Sequence, residues 1–243
     1  MQIKVAVLDM AGTTVADEVR GGPFILAAYG RAFREAGIAL GAEALNDLRG
    51  LDKRQVIRSV LAERGSRGGG ALEAETDRLL GVFRSCCLDL IREVRSMEGA
   101  AEACRWLKER GAFVALASGL PQEIAEAMAR EVGLLAPGLA DYVTSGERAG
   151  GGRPGPEMIN DVLIRCGMLG PQTDRHRPAP GFDYAQVLKL GDTPADVQEG
   201  RGVGAFTLAV ASGTHSAERL RAEGPREVLS TIAELPAFLE RST

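Results

Sequence analysis

Short apolar runs alternate with stretches of helical periodicity along this chain. Residues 3–8 (IKVAVL) form a Val-rich run that ends at Asp9 and meets a Gly/Thr turn, which predicts a buried strand with function at its carboxyl end. Runs at 112–117 (AFVALA) ending at Ser118, 140–144 (ADYVT), 187–190 (VLKL) ending at Gly191-Asp192, and 205–210 (AFTLAV) predict four more strands. Helical spacing lies between them: 99–109 around Trp106 and Leu107, 122–132 with Ile124, Met128 and Val132, 155–166, and 194–201. Strands alternating with helices predict an α/β fold, a Rossmann-like parallel sheet. Ligands bind such sheets at the carboxyl ends of the strands, where Asp9, Ser118 and Asp192 fall.

Between the first two strands, residues 16–98 show helical periodicity and no clear strand, as in 24–36 (FILAAYGRAFREA) and 76–92 (TDRLLGVFRSCCLDLIR). This predicts an α-helical cap inserted into a core made of 1–15 and 99–243. Gly68-Gly69-Gly70 reads as a loose loop between cap helices, and 171–186 (PQTDRHRPAPGFDYAQ) as an exposed polar loop.

The 243 residues are 45% hydrophobic, enough for a substantial core. A net charge of -4 and the absence of a Lys/Arg run argue against nucleic-acid and membrane partners and favour a small molecule. No signal-peptide pattern or membrane-length apolar run is seen, so a cytoplasmic location is expected. Cys86, Cys87, Cys104 and Cys166 lack zinc-site spacing and read as reduced thiols.

Candidate chemistry begins with Asp9-Met10-Ala11-Gly12-Thr13-Thr14, a carboxylate at a strand end followed by a turn with amides and hydroxyls suited to an anion. By itself it fits an Asp capping the turn equally well. In Gly191-Asp192-Thr193-Pro194-Ala195-Asp196, two carboxylates flank a strand-to-helix turn, a hard-oxygen set suited to Mg²⁺. Asp192 is the expected ligand. Asp196 either positions the site from behind or favours the helix N-terminus.

With Ser118-Gly119 after the second strand and Arg153-Pro154 after a glycine-rich stretch, these strings resemble the four ordered motifs of the haloacid dehalogenase superfamily. The resemblance implies that Asp9 attacks phosphorus to form an aspartyl-phosphate. It further implies that Gly12, Thr13, Ser118, Gly119 and Arg153 hold the phosphoryl oxygens, and that Mg²⁺ is bound by Asp9, the Ala11 backbone carbonyl and Asp192. Phosphatases of the superfamily carry an Asp two residues after the nucleophile to protonate the leaving alkoxide, whereas this chain has Ala11. Ala11 and Arg153, in DMAGTT and GRPGP, resemble the phosphonatase-like group, which cleaves carbon–phosphorus bonds.

That group forms a Schiff base on a cap lysine, and Lys53 in Gly50-Leu51-Asp52-Lys53-Arg54 has a similar context. A carbanion leaves only if its electrons are delocalised, and a protonated imine provides the sink. Lys53 must then have a lowered pKa, with Arg49 and Arg54 as candidate cations. Without that context it would be a solvated surface lysine. The match is incomplete: Val56 stands where phosphonatase has a histidine, and Leu120 where it has an aromatic residue. The expected substrate is phosphonoacetaldehyde or a related 2-oxoalkylphosphonate. The alternatives are a phosphatase or phosphomutase acting on a small phosphate ester, and an inactive binding domain. His176 is expected to be solvated, and His215 is a candidate for the site's edge. A homodimer through the apolar face of 24–36 (Phe24, Ala27, Ala28) is also expected.

Overall fold

A computed structural model describes residues 2–20, 22–64, 69–170 and 183–242. Six strands form one sheet: β1 (Val5–Asp9), β2 (Phe113–Ser118), β3 (Tyr142–Ser145), β4 (Val187–Gly191), β5 (Phe206–Val210) and β6 (Val228–Leu229). Their order is β6-β5-β4-β1-β2-β3, with every neighbouring pair parallel. The chain runs outward from β1 to β3 and then returns to β4 on the other side of β1. That reversal opens a crevice at the carboxyl ends of β1 and β4.

Alternation along the strands divides the core. Ala6 and Leu8 of β1 face one apolar layer with Leu116, Leu188 and Leu208, while Val5 and Val7 face Met158, Ile159, Val162 and Leu163 on the other side. Both sheet faces are covered, which is why the strands read as continuous apolar runs. The five strands expected from the sequence are present; β6 is a sixth, too short at two residues to show a period.

Between β1 and the next core helix lie α1 (Phe24–Glu35), α2 (Ala42–Asp47), α3 (Lys53–Glu63) and α4 (Gly70–Leu90). The buried positions of α1, Phe24, Ile25, Ala28, Tyr29, Ala32 and Phe33, form a stripe at helical spacing. Tyr29 packs on Phe83 of α4 with ring centroids 5.0 Å apart. Phe24 and Ala28, expected on a dimer face, are therefore consumed inside the chain's own core. The expectation of no strand here also needs correction. Val15–Ala16 pairs antiparallel with Arg95–Ser96, joining the outgoing and returning connections, and Glu18–Val19 pairs with Gly22–Pro23. Two-residue strands leave no periodic signal.

The core helices are α5 (Ala100–Glu109), α6 (Gln122–Glu131), α7 (Gly146–Ala149), α8 (Glu157–Arg165), α9 (Pro194–Gly202), α10 (Ala217–Ala222) and α11 (Leu235–Arg241). Cys86, Cys87 and Cys104 are buried free thiols, and Cys166 is half-buried. Among the described residues no helix is long and apolar enough to cross a membrane. Gly68, and residues 171–182 with His176, lie outside the described residues.

Candidate active site

Parallel register brings the strand ends level. Leu8 lies opposite Leu190 and Asp9 opposite Ala117, so Asp9, Ser118 and Asp192 meet at one edge. The turn after Asp9 needs glycine: Gly12 has φ +98, and a Cβ there would enter the Asp192 carboxylate. The expectation of free turn amides is not met. Gly12 N–H donates to Val15 O at 2.8 Å and Thr13 N–H to Met10 O at 3.0 Å, so both shape the turn. The Thr13 hydroxyl donates to Asp192 Oδ1 at 3.1 Å. Ser118 is buried at the end of β2, where its Oγ accepts from Leu120 N–H at 3.2 Å.

Arg153 organises the charges behind this edge. Its Nη1 lies 2.6 Å from Asp9 Oδ1, and its Nη2 donates to Ala117 O at 3.0 Å. Its Nε lies 3.0 Å from both Asp196 Oδ1 and Glu199 Oε2. Lys189, which points from the middle of β4, reaches the same two carboxylates at 2.9 and 2.8 Å. Asp196 also closes a capping box with Thr193 at the start of α9, accepting from the Thr193 hydroxyl at 2.5 Å. Asp196 thus caps α9 and at the same time contacts Arg153 and Lys189. Lys189 and Glu199 were missed by sequence reasoning. The available signals were a lysine inside an apolar strand run and a glutamate one turn beyond Asp196.

Burial and then the charge of Asp196 raise the Asp9 carboxyl above the usual range, with Arg153 and Lys189 pulling it back. Burial and then Asp9 raise Asp192 well above it. Burial acts to raise Asp196 too, but Arg153 and Lys189 outweigh it and hold that carboxyl low. Burial alone would lower Arg153, yet Asp196, Asp9 and Glu199 keep it firmly charged.

Asp9, Asp192 and Asp196 offer oxygens within 4.8 Å of one another. Asp196 is already engaged by Lys189, Arg153 and Thr193, whereas Asp192 Oδ2 has no hydrogen-bond partner among the described residues. Across the crevice five buried carboxylates (Asp9, Asp17, Asp192, Asp196, Glu199) face four buried basic side chains (Arg49, Lys53, Arg153, Lys189). The surplus of carboxylates over basic groups and the hard oxygen donors fit a divalent cation held by Asp9 and Asp192.

The helical segment closes over this edge. Gly119 abuts the Leu51 and Gly50 carbonyls so closely that a Cβ would collide with them. Beneath lies a cavity of about 20 Å³, lined among others by Asp9, Ala11, Lys53, Ser118, Leu120 and Arg153. Asp52 caps α3 by accepting from Gln55 N–H at 2.9 Å, which puts Lys53 at the first helical position. Only 3% of Lys53 is exposed; its Nζ donates to Leu51 O at 2.8 Å and lies 5.5 Å from the Tyr29 ring centroid. Burial, then the charges of Arg49 and Arg153, push its amine down to about 8. The helix N-terminus acts in the same direction.

Arg54 does not contribute as expected, because it points outward to Asp77 and Glu73. Arg49 does, and it also pairs with Asp17, a residue the sequence had not singled out. Val56 is buried. His215 is half-buried and does not line the cavity.

The haloacid dehalogenase-like hydrolase family matches residues 3–204. The chain belongs to this family. As a haloacid dehalogenase-like hydrolase it is an enzyme of the hydrolase class, and the parallel sheet with its carboxyl-end site is that fold. It is 24% identical to phosphonoacetaldehyde hydrolase of Latilactobacillus sakei, over 98% of this chain and 96% of that one. It is 26% identical to phosphonoacetaldehyde hydrolase of Bacillus cereus, over 88% and 78% respectively. A solved phosphonoacetaldehyde hydrolase-like protein from Oleispira antarctica superposes with a TM-score of 0.77 at 19% identity, covering 99% of this chain and 92% of that one. A hydrolase from Pseudomonas syringae gives 0.78 at 16%, covering 99% of each. At these identities the solved structures speak to the fold.

Proposed function

We propose that this hydrolase cleaves the carbon–phosphorus bond of phosphonoacetaldehyde or a closely related 2-oxoalkylphosphonate, with residues 16–98 acting as a mobile cap. The observation that carries this reading is a buried lysine, lowered to about 8, lining the same cavity as the strand-end Asp9. Ala11 supports it, since a methyl group cannot protonate an alkoxide. The names of the relatives agree with it.

In this account neutral Lys53 adds to the substrate carbonyl and, with uptake of one proton and loss of water, forms an iminium. Asp9 then attacks phosphorus. As its Oδ–P bond forms and the C–P bond breaks, the electron pair from carbon moves into a C=C bond and neutralises the iminium nitrogen, giving an enamine. Protonation at carbon and hydrolysis return Lys53 and release the carbonyl product, while water cleaves the aspartyl-phosphate. Ser118 and Arg153 orient the phosphoryl oxygens, and Arg153 balances their charge through rigid donors fixed by Asp196 and Glu199. Mg²⁺, held by Asp9, the Ala11 carbonyl and Asp192, would neutralise the phosphoryl group so that a carboxylate can approach it.

A cavity of about 20 Å³ admits little more than a water, so the cap must open for substrate and close to exclude solvent. The test is a matched panel of phosphonoacetaldehyde, 2-oxopropylphosphonate and small phosphate esters, with phosphate and carbonyl release measured together. Equimolar release from a phosphonate, well above any ester turnover, is expected. Ester turnover equal to or above that of both phosphonates would replace this reading with a phosphatase.

A further inference from the structure

Arg49 sits on the loop before α3, yet its guanidinium reaches into the core. It is 3% exposed. Its Nη1 pairs with Asp17, its Nη2 donates to Ala11 O at 3.3 Å, and the same Nη2 lies 3.7 Å from Asp192 Oδ2. Asp192 Oδ2 is buried and has no hydrogen-bond partner among the described residues, and this guanidinium is the basic group paired with it. The Ala11 carbonyl and Asp192 are two of the three groups read above as the cation site. A hard divalent ion would approach each oxygen to about 2.1 Å. Those oxygens cannot face an N–H and such an ion from the same side.

We propose that Arg49 is a tethered internal cation that holds the metal-facing oxygens in the closed, cation-free protein. A divalent ion then displaces its Nη2 arm while Asp17 keeps hold of Nη1. Because Arg49 belongs to the loop that also presents Gly50, Leu51 and Lys53, metal occupancy and cap position become linked. The cap closes over an empty metal site with Arg49 in place of the ion, and metal entry loosens that closure until substrate supplies new contacts. Linkage requires the converse: whatever removes Arg49 from those oxygens tightens metal binding. The inference rests on Asp9, Ala11 and Asp192 being the cation site, and it needs no substrate to be tested.

Titration calorimetry of Mg²⁺ into the substrate-free full chain reads the Kd directly. Arg49→Met is expected to bind Mg²⁺ about tenfold or more tightly than the unsubstituted protein, within the usual range of site-to-site coupling. In Arg49→Ala, millimolar guanidinium should weaken Mg²⁺ binding competitively, an effect that loss of a distant charge would not produce. Removing Arg49 leaves Asp17 buried without its partner, so Asp17→Asn/Arg49→Met carries the same expectation should the single variant fail to fold. Unchanged or weaker Mg²⁺ binding, or no competition by guanidinium, overturns the inference and leaves the metal reading standing. Absence of Mg²⁺ binding in every protein overturns both.

Discussion

The two halves of the site surround their buried ionisable groups in opposite ways. In the core, Asp9 sits among compensating charges: Arg153 is shared between it, Asp196 and Glu199, and Lys189 braces the last two. In the helical segment, Lys53 has no carboxylate partner at hydrogen-bond distance among the described residues; its amine faces a backbone carbonyl and an aromatic ring. Burial leaves the Asp9 carboxyl above its usual range in spite of that pairing, and lowers the unpaired Lys53 amine to about 8. In the proposed mechanism Asp9 must be ionised to attack phosphorus, and Lys53 must shed its proton to form the imine.

Substitutions can break each half separately. Lys53→Met should cost on the order of 10³-fold or more in kcat/KM for a phosphonate, measured by phosphate release. The same change should raise stability at pH 7 by about 1–3 kcal/mol in urea denaturation, because it removes an ammonium that the fold disfavours. The sign follows from linkage: between pH 8 and 10.5 the unfolded chain binds more protons at Lys53, so the parent gains stability as pH rises through that window. Lys189→Met should do the reverse, destabilising by about 3–5 kcal/mol by leaving Asp196 and Glu199 short of a buried partner.

Gly119→Ala pushes against the Leu51 and Gly50 carbonyls and should lower kcat/KM by about 10²-fold through imperfect closure, with little change in the urea midpoint. For the unaltered enzyme, kcat/KM should climb about tenfold per pH unit below 8 and level off above it, as Lys53 loses its proton. Arg54→Ala, which removes only exposed pairs with Asp77 and Glu73, should change the rate by less than about twofold and the stability by less than about 0.5 kcal/mol.

The sheet was legible because parallel strands are buried on both faces and read as unbroken apolar runs, and the helices because one stripe is buried. Asp9, Ser118 and Asp192 were legible because they lie at strand ends, and Arg153 because its motif comes in a known order with theirs. Partnerships across long separations were not. Asp17 and Arg49 are far apart in sequence, and no local pattern says that an arginine in a cap loop will lie against Ala11 O and Asp192. Phe24 and Ala28 were misplaced for a related reason: periodicity shows that a face is apolar, not whether the chain's own helices already cover it. The amides of Gly12 and Thr13 were misread because a turn can bond internally the groups it seems to offer.

The most direct test of the Lys53 imine is borohydride trapping. Incubation of the enzyme with phosphonoacetaldehyde and Mg²⁺, followed by borohydride reduction and peptide mass spectrometry, should place a substrate-dependent alkyl adduct on Lys53 and leave the other lysines unlabelled. Turnover of the phosphonate with no adduct at Lys53, or with the adduct on another lysine, would contradict the account.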